Sequence, residues 1–205
     1  MTEEIFHDII YKVRGPFWAD HKCGSGSLLE HTATVREHLP IIVDTFNIKS
    51  MLDAPCGDFS WMHHVQFPQD LKYTGGDIVG RMIEENKSTY PNVDFIKIDV
   101  VNDTLPTVDL LFCRDLLIHL PCESIKKIFR NVLASNIKYV LVSSCVNEHN
   151  NDIDHGQHRE VNLERSPFLF PSPLYIIDDT CRHVVRNMLL WDAEQIAAVV
   201  DQWDN

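Results

Sequence analysis

The chain has 205 residues, 44% hydrophobic and 23% charged, which suits one domain with a real core and excludes a low-complexity or disordered chain. Its formal net charge of −12 disfavours a nucleic-acid partner, because an acidic surface repels a phosphate backbone and no dense Lys/Arg cluster offsets it. No apolar run is long enough to span a bilayer, the acidic opening MTEEIFHDII is unlike a signal peptide, and Cys23, Cys56, Cys113, Cys122, Cys145 and Cys181 form no CxxC pair, so a cytoplasmic protein with free thiols is expected.

Residues 1–27 read as an N-terminal extension. Ile5, Ile9, Ile10 and Val13 recur at helical spacing, and Gly15-Pro16 ends that run. The stretch GSGS at 24–27 precedes a second apolar stripe of Leu28, Leu29, Val35, Leu39, Ile42, Val43 and Phe46. Ser27 and Glu30 have the spacing of a capping box, and Pro40 predicts a kink or break. The GSGS amides could bind an anion if they open a helix; the alternative is a plain linker.

From residue 50 onward, short apolar runs alternate with helical patterns. Strands are expected at 50–53, 73–78, 93–100, 108–113 and 139–144, with helices at 81–89 and 123–135. This alternation predicts an α/β fold, a parallel sheet with helices on both faces. The segment 146–172 is polar and shows no period, so it is expected to be a mobile substrate loop or lid. Two late strands (174–177 and 187–191) and a helix bearing Ile196, Val199 and Val200 close a single domain spanning 1–205.

The candidate site residues follow the strand ends. In MLDAPCGDF, an apolar strand runs to Asp53 and turns through Ala54, Pro55 and Gly57, the place where parallel α/β sheets bind nucleotides. In YTGGDIV, Asp77 and Ile78 end the next strand; a carboxylate there can accept both hydroxyls of a ribose, with Gly75 and Gly76 allowing close backbone approach. Asp99 and Val100 end the third strand, where the alternative is an ordinary strand-end carboxylate. Past the fourth strand stand Arg114, Asp115 and His119; the histidine suits a general base or a purely structural role. His149, His155 and His158 in the polar loop match no metal-ligand spacing, and no metal is expected. Trp18 and Trp61 read as packing residues.

Taken in order, DAPCGDF, YTGGDIV, IKIDV and LLFCRDLLIHLP resemble the motifs of class I S-adenosylmethionine-dependent methyltransferases. Over roughly 23–191 the chain is similar to a largely uncharacterised microbial group with a DAPCGD-type motif I. Pro55 and Phe59 stand where the usual form of that motif has its first and third glycines. The resemblance implies a Rossmann-like, seven-stranded, mostly parallel sheet with an antiparallel C-terminal hairpin. It implies S-adenosylmethionine as cofactor, with S-adenosylhomocysteine as product. Asp53, Ala54, Pro55, Gly57, Asp77, Ile78, Asp99, Val100 and Arg114 become its binding residues, with Asp115 or His119 as catalytic base.

No DPPY-type tetrapeptide follows the fourth strand, which disfavours methylation of nucleic-acid bases, and no paired metal carboxylates are evident. The expected reaction is therefore O-methylation of a small-molecule or glycan hydroxyl by a monomer or homodimer, with no nucleic-acid or membrane partner. Two alternatives stay open: a nicotinamide oxidoreductase, which calls for more glycines after the first strand, and a non-catalytic relative that acts through binding.

Overall fold

The computed structural model describes residues 2–12, 23–180 and 184–203; Val13, Gly15, Pro16, Trp18 and Cys181 lie outside them. The strands are β1 (Ser50–Asp53), β2 (Lys72–Asp77), β3 (Asp94–Lys97), β4 (Leu110–Cys113), β5 (Tyr139–Cys145), β6 (Tyr175–Asp178) and β7 (Arg186–Asp192). They form one sheet in the order β3-β2-β1-β4-β5-β7-β6. The pairs β1/β2, β1/β4, β2/β3 and β4/β5 are parallel, and β7 runs antiparallel to both β5 and β6. This is the expected Rossmann-like sheet with its antiparallel C-terminal pair.

Five α-helices are described: α1 (Thr2–Tyr11), α2 (Ala33–Thr45), α3 (Gly80–Thr89), α4 (Cys122–Ala134) and α5 (Ala193–Trp203). The central strands alternate their side chains between two fully covered faces, as buried parallel strands must. Leu52, Leu111, Val140 and Leu189 pack towards Ile125, Phe129 and Val132 of α4 and Ile196 and Val199 of α5. Met51, Leu110, Leu141 and Leu190 pack towards Val35, Leu39, Ile42 and Val43 of α2 and Ile83 of α3.

Three local expectations are corrected. The stripe beginning at Leu28 is not one helix. Ser25–Ser27 is a single 3-10 turn, Ser27 Oγ donates to the Cys23 carbonyl at 3.2 Å, and α2 starts only at Ala33, behind Thr32, so no capping box forms. The GSGS amides therefore do not open a helix. Pro40 sits inside α2 without ending it, because the surrounding apolar face is buried against the sheet. Both β3 and β4 are shorter than their apolar runs. Asp99 Oδ1 accepts from the Val101 amide at 2.9 Å and turns the chain out of β3. The Asp109 carboxylate takes the Lys49 and Ser50 amides at 2.8 and 3.0 Å just before β4 begins.

Segment 146–172 contains no helix or strand and is fastened to the body of the domain by buried side chains and hydrogen bonds. Val161, Leu163, Phe168 and Phe170 are buried in the α4/α5 core. The buried Arg159 guanidinium donates to the carbonyls of Asn151, Leu117 and Leu120 at 2.7–2.8 Å. Asn150 Nδ2 donates to the Asn162 and Ser166 carbonyls, each at 2.8 Å, while its Oδ1 accepts from the Asn162 amide at 2.8 Å. The Asn-rich composition that read as solvated loop is a set of side chains replacing ladder hydrogen bonds.

No helix among the described residues is long and apolar enough to cross a membrane. Cys23, Cys56, Cys113, Cys122 and Cys145 are free thiols.

Candidate active site

Connectivity reverses between β1 and β4, which leaves a crevice at their carboxyl ends. The crevice has two lobes. The larger, about 170 Å³, is lined by Asp53, Pro55, Gly57, Asp77, Ile78, Arg114, Asp115 and His119, with further residues from the N-terminal segment. The smaller, about 30 Å³, is lined by Ala54, Pro55, Asp77, Ile78, Asp99 and Val100 among others. Every sequence-predicted site residue thus borders one lobe or the other, although they come from four separate strand ends.

Asp77 is the joint between the lobes. Its Oδ1 accepts from the Val79 amide at 2.9 Å and its Oδ2 from the Gly57 amide at 3.2 Å. Burial pushes its carboxyl up to about 6 against these backbone donors. Gly57 has φ +55°, and a Cβ there would stand 2.6 Å from Cys23 Sγ, so only glycine fits this turn. Asp53 is buried, and the Tyr73 hydroxyl donates to its Oδ2 at 2.5 Å. Burial drives the Asp53 carboxyl up to about 8, helped by the charge of Asp77 and opposed by Tyr73 and Arg114. Asp99 borders the smaller, mainly apolar lobe beside Ile78, Ile98, Val100 and Leu116, with its oxygens accepting from the Val101 amide and from Asn102 Nδ2.

Gly75 and Gly76 do not serve mainly to admit a ligand. A Cβ on Gly75 would meet the Phe95 ring at 2.6 Å, and one on Gly76 would meet Ile98 at 2.7 Å, so both make room for packing against β3 and the loop after it. Phe59, at the third glycine position of the motif, adopts φ +58° and anchors the turn in a cluster with Tyr73, Tyr90 and Phe95. Trp61 packs on Phe112, as expected of a packing residue, and also lines the larger lobe.

At the β4 end, four charged side chains interlock. Arg114 donates through Nε and Nη2 to Asp179 at 2.9 and 3.0 Å, and through Nη1 to the Gly26 carbonyl at 3.0 Å. Arg186 Nε lies 2.8 Å from Asp179 Oδ2, and its Nη1 donates to Asp115 Oδ1. Asp115, held at φ +61°, also has Oδ2 3.5 Å from Arg114. Arg114, predicted as a cofactor ligand, therefore lines the cleft but is committed to Asp179 and to the Gly24–Ser27 segment. Asp115, predicted as a base, has both oxygens facing guanidinium groups.

His119 is differently placed. Its Nδ1 lies 2.9 Å from the Gln157 carbonyl, which can only accept, so Nδ1 carries the proton and Nε2 keeps its lone pair. Burial holds its pKa below the usual imidazole value, so it is neutral at pH 7. His158 lies edge to face with it, with ring centroids 5.6 Å apart, and His155 Nε2 is 2.9 Å from Ser124 Oγ; the described residues contain no cluster of three or more metal-ligating side chains.

The element that covers the crevice is α1, not the 146–172 segment. Phe6, Ile9 and Ile10 line the larger lobe, and Thr2 and Phe6 the smaller. One end is tied by Glu3, which accepts from the Gly80 amide at 3.2 Å and pairs with Lys97 at 2.7 Å. The other is tied by Tyr11, whose hydroxyl donates to Glu85 at 3.0 Å. Residues 1–27 are, with 146–172, where the sequence leads one to expect acceptor selectivity, but Tyr73, Asp179 and Arg186 carried no signal of a place at the site. Helical spacing marked Ile5, Ile9 and Ile10 as an apolar face but carried no sign of what the face covers.

No family model and no curated protein sequence matches the chain. Solved structures do. It resembles magnesium protoporphyrin IX methyltransferase from Synechocystis PCC 6803 with bound SAH, with a TM-score of 0.59 and 12% identity over 92% of this chain and 93% of that one. It resembles the methyltransferase domain of a bacterial Hen1 protein at TM-score 0.58 and 13% identity, over 79% and 99% of the two chains. For human N-acetylserotonin methyltransferase in complex with SAM the values are 0.56, 15%, 79% and 52%. The fold is that of the Rossmann-like methyltransferases.

Proposed function

We propose that the chain is an S-adenosylmethionine-dependent methyltransferase acting on a hydroxyl of a small molecule or glycan. The observation that carries this reading is the convergence of Asp53, Asp77 and Asp99, from the ends of three strands, on one two-lobed crevice with Gly57 at its turn. The residues suit the donor. Asp77 is fixed by two backbone amides and keeps lone pairs for ribose hydroxyls; Asp99 and the slot of Ile78, Val100 and Leu116 suit an adenine; buried Asp53 suits a cationic group. The bound donor supplies an electrophilic methyl on a positively charged sulfur. The protein's part is to align the acceptor with it, worth on the order of 7–11 kcal/mol in well-oriented cases, and to take up the acceptor's proton. The Nδ1 contact of His119 with the Gln157 carbonyl supports assigning that proton to His119, while Asp115 belongs to the ion network beside it.

Titration calorimetry with S-adenosylmethionine and S-adenosylhomocysteine tests the donor site. Micromolar binding is expected, and Asp77→Ala is expected to weaken it at least about 100-fold, since a buried acceptor of ligand hydroxyls is removed. No heat from well-folded wild-type protein would refute the reading and favour the non-catalytic relative.

Donor affinity should also depend on pH with a definite sign. With their pKa values raised by burial above the ordinary carboxylate range, Asp53 and Asp77 hold protons in the ligand-free cleft until about pH 8 and about pH 6. A cationic ligand favours the ionised forms, so binding releases protons and affinity rises between pH 6 and about 8. The same shifts favour the ligand-free fold below pH 3.8, a contribution lost as pH climbs through the folded values. Calorimetry in two buffers of different ionisation heat reads the proton release; equal heats in both would contradict it.

A further inference from the structure

We infer that the methyl acceptor is an uncharged, mainly apolar small molecule with a phenol-type hydroxyl, seated under α1 with that hydroxyl at His119. The inference rests on the donor reading above and narrows its acceptor.

Three observations on the larger lobe lead there. The first is its wall. Phe6, Ile9 and Ile10 present no hydrogen-bonding side chain to the lobe, and α1 is pinned at both ends through Glu3 and Tyr11. Ile5 and Ile9 also lie against Gly156, where a Cβ would come within 2.4 Å of Ile5. Although it covers the crevice, no α1 residue is fully buried, so an apolar ligand beneath it would complete its burial. A sugar there would leave hydroxyls facing hydrocarbon without partners.

The second is charge. Asp53, Asp58, Asp77 and Asp115 line the lobe, and the one guanidinium among its described lining residues, Arg114, is bound to Asp179 and the Gly26 carbonyl. A phosphate or carboxylate on the acceptor would meet carboxylates and no uncommitted cation among the described lining residues. The third is the base. The Phe6 ring lies 6.3 Å from the His119 ring, edge to face, so the imidazole that offers Nε2 is part of the apolar wall. A neutral imidazole is better matched to a phenol-type proton, with a pKa of about 10, than to an alkanol-like or water-like one near about 16.

The step balances within this site. The hydroxyl oxygen forms a bond to the transferred methyl as the methyl–sulfur bond breaks, and that bond's electron pair stays on sulfur. The hydroxyl proton passes to Nε2 of His119, which becomes an imidazolium.

The test uses the whole chain saturated with S-adenosylhomocysteine and three probes: 2-naphthol, methyl glucopyranoside and 4-hydroxybenzoate. Calorimetry should show 2-naphthol binding at least about tenfold more tightly than either of the others, as expected when a polar or anionic group is left without a partner. With S-adenosylmethionine in its place, 2-naphthol should be the probe whose methyl ether forms. Ile9→Ser should weaken naphthol binding about tenfold when S-adenosylhomocysteine is kept saturating for the variant as for the wild type. Glucoside or hydroxybenzoate binding as tightly as naphthol, or no naphthol binding to protein that binds S-adenosylhomocysteine, would overturn the inference. Absence of S-adenosylhomocysteine binding would instead remove the donor reading beneath it, and this inference with it.

Discussion

Replacing His119 by glutamine is expected to lower kcat about 100- to 10,000-fold, with donor affinity unchanged within a factor of about three. The geometry gives the reason. Nδ1–H is held by the Gln157 carbonyl, so the ring is fixed in one tautomer and Nε2 is the free base. A glutamine fills similar space but cannot accept a proton at neutral pH. The pH profile separates this role from a structural one. Burial lowers the His119 pKa below the usual imidazole value, so kcat at saturating donor should show an acid limb whose midpoint lies below that value. That acid limb should vanish from the residual activity of the variant. A variant that keeps the limb, or loses donor binding along with turnover, would show that His119 only shapes the wall.

Asp179→Ala is expected to cost about 3–5 kcal/mol of folding stability, because it strands two buried guanidinium groups. Against a typical total of about 5–15 kcal/mol this is a large share. The Asp179 side chain is 0% exposed and joins Arg114 at the end of β4 to Arg186 at the start of β7. Burial pushes the Asp179 carboxyl upward while both guanidinium groups pull it back, so the site works only as a set. Among the described residues Arg186 Nη2 has no hydrogen-bond partner, which leaves the network little tolerance for a further loss. Urea melts of Asp179→Ala and of Lys49→Ala, whose exposed pair with Asp70 is worth about 1 kcal/mol or less, provide the comparison. Equal losses in the two variants would contradict this account of the network. The damage should also reach the crevice, since the network holds Asp115 and the Gly26 carbonyl at its rim.

The strands were legible because their signal is local. β1 falls where the apolar run Ser50–Asp53 predicts it, and β5 and β7 differ from expectation by a residue at their ends. The errors share a cause. Ser27 and Glu30 have capping-box spacing, but Ser27 spends its hydroxyl on Cys23, and the helix waits for Thr32. The polar run 146–172 reads as loop by composition. Whether Asn150, Arg159 and Asn162 meet water or buried carbonyls depends on partners such as Leu117 and Leu120, far away in the chain.

The same division holds for the crevice. By itself the sequence determined that carboxylates stand at the ends of successive strands, because short apolar runs and the turn at Gly57 are properties of short segments. Only the tertiary structure decided their duties. It made Asp53 a buried group held by Tyr73, turned Arg114 into a brace for Asp179, and set α1 rather than the polar loop over the site. Burial and ion pairing depend on which distant segments meet, and a local pattern carries no record of that.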